Sequence, residues 1–238
     1  MKIKLKSLFV LIILFAGSLF AQTCGFGCLG LSGAFGGYTY QSYETEGLNL
    51  YAKNTLGLND SFGNAKGFRA GGNIVRAKFD GYFFTIKGFY QFSSEEKEVI
   101  SASLQDVRNT YELKANYWGV GLDIGIPVLD FMDFKILDGG ITFQQTDYEE
   151  RQISGTGEIA YKKYENEDSD IGYYVGSGLI FHLVQDYVSL EGSAYYNMMS
   201  VSNLIDESGN KLLNEDSPDL ISKGGLSLIV QLNIGFPL

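Results

Sequence analysis

One histidine and five charged residues at strand-like spacing are the places where this chain could do chemistry. His182 is the only histidine. A nucleophile and its base must lie within hydrogen-bond reach, yet His182 is followed by Leu183-Val184, with no serine beside it. Its expected cross-strand neighbour, Ser189, belongs to the same hairpin end next to a short turn. A structural or interfacial histidine is the expectation, no catalytic residue is assigned, and the protein is read as non-enzymatic. The second set is Arg76, Lys87, Asp123, Asp138 and Glu191, each alternating with apolar neighbours. Charges on one shielded face must be paired or neutralised. They are expected to form an interior salt-bridged plug, either static or a gate whose pairs swap to admit water or small ions.

Two further clusters carry weaker chemistry. Cys24 and Cys28, in Cys-Gly-Phe-Gly-Cys, are the only cysteines. A small disulfide loop is expected in an oxidising compartment, although the thiols could stay reduced. A metal site would need two more ligands that the chain does not offer nearby. The acidic runs 165–170 and 214–219 gather carboxylates that could hold divalent cations, but neither follows a calcium-loop pattern. Solvated loops are the simpler reading. No phosphate-cradling or cofactor-binding motif is present, so no cofactor is expected.

The elements that must position these residues are strands. At the C-terminal end Leu226, Leu228, Val230, Leu232, Ile234 and Phe236 recur at every second position, the period of a strand with one apolar face. Eight such segments are expected, at roughly 30–43, 67–79, 82–93, 111–126, 134–147, 170–184, 187–200 and 220–236. The connections after the second, fourth and sixth are short. Those after the first, third, fifth and seventh run to about 17–23 polar residues, and such sorting of loop lengths marks membrane barrels.

Register can be checked between the sixth and seventh strands. If Gln185-Asp186 is a two-residue turn, residues whose numbers sum to 371 face each other. Tyr173, Val175, Leu179, Phe181 and Leu183 then share an apolar face with Met198, Tyr196, Leu190 and Val188, assigned to lipid. A turn at Asp80-Gly81 likewise puts Arg76, Thr85 and Lys87 inward. Tyr38, Tyr40, Tyr90, Phe92, Trp118, Phe143, Tyr173 and Tyr196 fall toward the long-loop ends. Phe79, Tyr82, Phe131, Phe134, Phe181, Tyr187 and Phe236 fall toward the short turns. Two aromatic belts are what interfacial anchoring requires.

The N-terminus supplies an export signal. Lys2, Lys4 and Lys6 precede the apolar run Leu8–Phe15, and Leu19-Phe20-Ala21 offers a cleavage point. The expected division is a cleaved signal at 1–21 and one barrel domain at 22–238. No later run is long or apolar enough for a spanning helix, so a closed sheet is the remaining way across a bilayer. The whole chain has 28 acidic and 18 basic residues. Loss of Lys2, Lys4 and Lys6 leaves 15 basic against 28 acidic, a net of −13. That balance excludes nucleic acid as a partner, since such binding needs Lys and Arg against phosphate.

Together, the signal, eight alternating strands, sorted loops and terminal aromatic residue resemble the small bacterial outer-membrane β-barrel family, the OmpA-like and OmpX-like barrels. The resemblance is architectural and covers the whole mature chain. It implies an all-β, eight-stranded antiparallel up-and-down transmembrane β-barrel in the bacterial outer membrane, with the long loops outside. It also implies contact with outer-membrane lipid and lipopolysaccharide, and with the barrel-assembly machinery through the C-terminal strand. Such barrels serve as envelope structure, adhesins, narrow channels or enzymes. The expected role is structural and surface-interacting. A narrow OmpW-like channel for small or apolar solutes is the alternative, and a lipid-modifying enzyme ranks lower.

Overall fold

The structure is a computed structural model that describes residues 32–79, 81–100, 107–155, 157–166, 169–185 and 187–235. The expected export signal, Cys24, Cys28 and Phe236 lie outside the described residues. Nine strands follow in chain order: β1 (Gly33–Glu44), β2 (Asn64–Phe79), β3 (Tyr82–Ile100), β4 (Arg108–Leu129), β5 (Met132–Ser154), β6 (Gly157–Glu165), β7 (Asp170–Val184), β8 (Val188–Met198) and β9 (Lys223–Gly235). One short helix, α1 (Glu46–Tyr51), continues into a wider turn over Ala52–Leu56. Every pairing is antiparallel, and β4–β5 and β1–β9 close the ring β1-β2-β3-β4-β5-β7-β8-β9. Eight strands therefore form a barrel, and β6 stands outside the ring, paired as a strand with β5 alone.

The alternation of the sequence sets the two faces. Tyr173 pairs with Met198, Val175 with Tyr196 and Phe181 with Leu190, the register that sums to 371. Along β4, Trp118, Val120, Leu122, Ile124 and Val128 are exposed on the outside, while Tyr117 and Asp123 are buried inside. Trp118 to Val128 spans about 33 Å of strand. With the usual tilt of roughly 35–45° this gives an apolar band about 25 Å tall, the height of a bilayer core. Tyr38, Phe92, Trp118, Phe143, Tyr173 and Tyr196 are exposed at its upper rim, and Phe79, Tyr82, Phe131 and Tyr187 at its lower rim.

Two expectations need correction. The third connection is mostly strand, because β3 runs on to Ile100 and β4 starts at Arg108. The charged stretch Glu95-Glu96-Lys97-Glu98 hid this, since it shows no apolar alternation. The fifth connection holds β6, laid against the top of β5 from Asp147 to Ser154. The result is a wall of four strands, β3 to β6, rising past the upper aromatic rim.

Against the inner face of that wall lies a second core. Tyr111, Leu113 and Ala115 of β4, Tyr148 of β5 and Tyr164 of β6 pack with Leu48 and Ala52 of the helical segment. Val201, Leu204, Leu213, Leu220 and Ile221, from the connection between β8 and β9, complete it. Tight fit accounts for Gly47: a Cβ there would collide with the backbone oxygen of Pro218. A capped barrel results, with charged side chains and an aromatic layer inside the belt and an apolar core inside the cap.

A charge-filled lumen beneath an aromatic layer

Four of the five candidate interior residues meet at one level of the lumen. Lys87 rises on β3, Asp123 on β4, Asp138 on β5 and Glu191 on β8, each buried. Lys87 Nζ lies 2.8 Å from Asp123 Oδ1 and 2.6 Å from Asp138 Oδ2. Asp123 and Asp138 are direct cross-strand partners, a like-charged pairing that would repel without cations between them.

The residue that joins the cluster is Lys135, which sequence reasoning missed. Its Nζ lies 3.1 Å from Asp123, 2.6 Å from Asp138 and 2.7 Å from Glu191. Strict alternation from Asp138 would send Lys135 outward. The register instead shifts between Lys135 and Asp138, and Ile136 and Leu137 both face outward. A β-bulge inserts one residue and so reverses which face later residues occupy. The sequence signal was there: two adjacent apolar residues set between two charges.

The cluster is hydrogen-bonded beyond its ion pairs. Tyr195 donates to Asp138 Oδ2 at 2.6 Å, so that oxygen receives Lys87, Lys135 and Tyr195. Glu191 accepts from Ser193 at 2.9 Å, Gln231 at 3.2 Å and Asn233 at 3.3 Å. Buried carboxylates keep their charge only with such partners.

Arg76 is not part of this cluster, contrary to the expected network. It pairs with Thr85, two residues below Lys87 and so about 7 Å nearer the short turns. There its guanidinium faces Asp133 at 3.8 Å. Asp133 also meets His182 Nε2 at 2.9 Å. Among the described residues no serine hydroxyl is hydrogen-bonded to His182, and no group of three His, Cys, Asp or Glu is placed to hold a metal.

Directly above the charges the lumen is filled by rings. Phe35, Phe89, Tyr117, Tyr174, Tyr195 and Ile229 form one buried cluster. Gly119 and Gly121 make room for it, because a Cβ at the first would strike the Phe89 ring and at the second the Tyr174 hydroxyl. Arg69, also unforeseen, lies among these rings, its guanidinium carbon 4.0 Å from the Phe89 centroid and its Nε donating to Gln91 at 3.0 Å. Arg76, Lys87 and Lys135 are thus ion-paired with Asp123, Asp133, Asp138 and Glu191, while Arg69 lies above them among the rings; these eight side chains carry four charges of each sign.

Closed ring, apolar outer band, aromatic rims and a polar filled interior define a transmembrane β-barrel of eight strands. No family model and no curated protein sequence matches the chain. Solved structures similar to it include Ail, the attachment invasion locus protein of Yersinia pestis, at 10% identity and a TM-score of 0.44, over 87% of this chain and 99% of that one. Neisserial surface protein A is similar at 11% identity and a TM-score of 0.47, over 86% and 97% of the two chains. The outer membrane protease OmpT from Escherichia coli is similar at 10% identity and a TM-score of 0.40, over 87% and 94%.

Proposed function

We propose that this protein is a non-enzymatic barrel of the bacterial outer membrane that contributes to envelope structure and presents its folded cap at the cell surface. The short turns face the periplasm and the cap faces outward. Outer-membrane lipid and lipopolysaccharide surround the belt, and β9 is the strand offered to the barrel-assembly machinery. The observation that carries this reading is the filled lumen: a lysine–carboxylate cluster, an aromatic layer and an apolar cap succeed one another along the axis. Eight strands enclose a space that side chains can fill, and here they fill it.

Conductance in planar bilayers tests the reading. The filled barrel is expected to give no more than small, rare openings. Sustained stepwise conductance from the wild-type protein would overturn it in favour of a narrow channel.

A further inference from the structure

The lower rim of the barrel is notched. β3 begins at Tyr82, and its pairing with β4 runs from Phe83 opposite Gly125, while β4 and β5 continue down to Leu129 and Met132. A cavity of about 360 Å³ occupies the space between the two hairpin ends. Its inner side is formed by Asp133 and His182 at the mouth of the lumen, and its rim by Lys78 and Asp130. Its outer side is formed by Phe79 and Leu129, which are half exposed on the lipid-facing surface. One cavity therefore joins the charged mouth of the lumen to the lower edge of the apolar belt.

That combination selects its ligand by chemistry. The carboxylates of Asp130 and Asp133 suit a primary ammonium, which offers three donors, and Lys78 suits a phosphate. Phe79 and Leu129 continue the surface along which acyl chains lie. We propose that the notch is a binding site for the headgroup of a zwitterionic aminophospholipid from the periplasmic leaflet. Its ammonium sits toward Asp130 and Asp133, its phosphate toward Lys78, and its chains outside over Phe79 and Leu129. A quaternary choline lacks the N–H donors these carboxylates call for, and a glycerol headgroup lacks the cation. The site rests on the membrane orientation proposed above, which places this rim in the phospholipid leaflet.

The test is lipid retention. The full barrel is inserted into bilayers holding equal parts of phosphatidylethanolamine, phosphatidylglycerol and phosphatidylcholine, extracted in mild detergent, and weighed by native mass spectrometry. One phosphatidylethanolamine per barrel is expected, at least tenfold over either other lipid. The double variant Asp130→Asn, Lys78→Gln should lose that preference while keeping the heat-dependent gel shift of a folded barrel. Millimolar free phosphoethanolamine should not displace the lipid. Equal retention of the three lipids, an unaltered preference in the double variant, or displacement by the free headgroup would each overturn the assignment. A barrel that fails to insert at all would contradict the membrane reading instead.

Discussion

Strand β4 passes through two environments, and its two halves use opposite rules. Below Trp118 the outward residues are Val120, Leu122 and Ile124, and the inward ones include Asp123. Above Trp118 the outward residues are Asn116, Lys114 and Glu112, and the inward ones are Ala115, Leu113 and Tyr111. The alternation never slips between these halves; the chemistry of each face changes instead. In lipid the outside is the apolar solvent, so polar groups turn inward and must satisfy one another. In water the hydrophobic effect drives the apolar face inward. The cap is thus an ordinary core, and the charged level of the lumen, below the aromatic layer, is its inverse.

The charged lumen depends most on its central cation. Lys135→Ala removes the cation that touches Asp123, Asp138 and Glu191 together, leaving Lys87 to hold Asp123 and Asp138 and no lysine against Glu191. Removing one partner of a buried pair costs about 3–5 kcal/mol, so this substitution should give the largest loss of resistance to denaturant unfolding. Lys87→Ala should follow. Lys53→Ala, on the exposed segment after α1, should change stability by roughly 0–1 kcal/mol, as exposed charges do. Equal, negligible effects of Lys135→Ala, Lys87→Ala and Lys53→Ala would mean the luminal cluster contributes nothing.

The upper half answers to a different perturbation. Leu213→Ala or Leu220→Ala removes a buried cap side chain and should cost about 2–5 kcal/mol locally. The readout is proteolysis: the connection 199–222 should become cleavable while the barrel keeps its gel shift. Loss of the shift at the same time would show that cap and barrel fold as one unit.

Alkaline pH should separate the two regions more gently. Burial pushes the Tyr148 phenol well above its usual range, and burial and then the hydrogen bond to Glu150 do the same for Tyr51. A phenol whose folded pKa is raised stabilises the fold fully below its unfolded value, about 10. That contribution falls as pH climbs past this value. Cap protection from protease should therefore fall above roughly pH 10, with the heat-dependent shift of the barrel retained.

The smallest effect concerns sidedness. Cysteines placed at Asn210 and Glu158 should react with a membrane-impermeant reagent on intact cells, and one at Gln185 should not. Labelling at 185 alone would turn the barrel over.

Much of the lower half was legible in the sequence because alternation is a strong signal. The β7–β8 register followed from one turn, and Lys87, Asp123, Asp138 and Glu191 followed from parity. Lys135 did not, because the bulge over Ile136 and Leu137 resets parity in a way that no count of alternate residues reveals. Arg76 shares its face with the cluster but sits one inward position too low, a distance that parity does not encode. The cap was read as polar loops. Leu204, Leu213, Leu220 and Ile221 stand in irregular backbone, where no period announces a buried face, and the strand extension 95–100 carries charges on both faces.

The change of rule at Trp118 can be measured along one strand. Single cysteines at the outward positions 112, 114, 116, 118, 120, 122 and 124 of β4 would carry an environment-sensitive fluorophore, in bilayers with quenchers fixed at mid-bilayer or headgroup depth. Strong mid-bilayer quenching is expected at 120–124, headgroup-level quenching at 118, and little of either at 112–116. Quenching at 112–116 as strong as at 122 would place the cap in lipid and contradict the division of the molecule at Trp118.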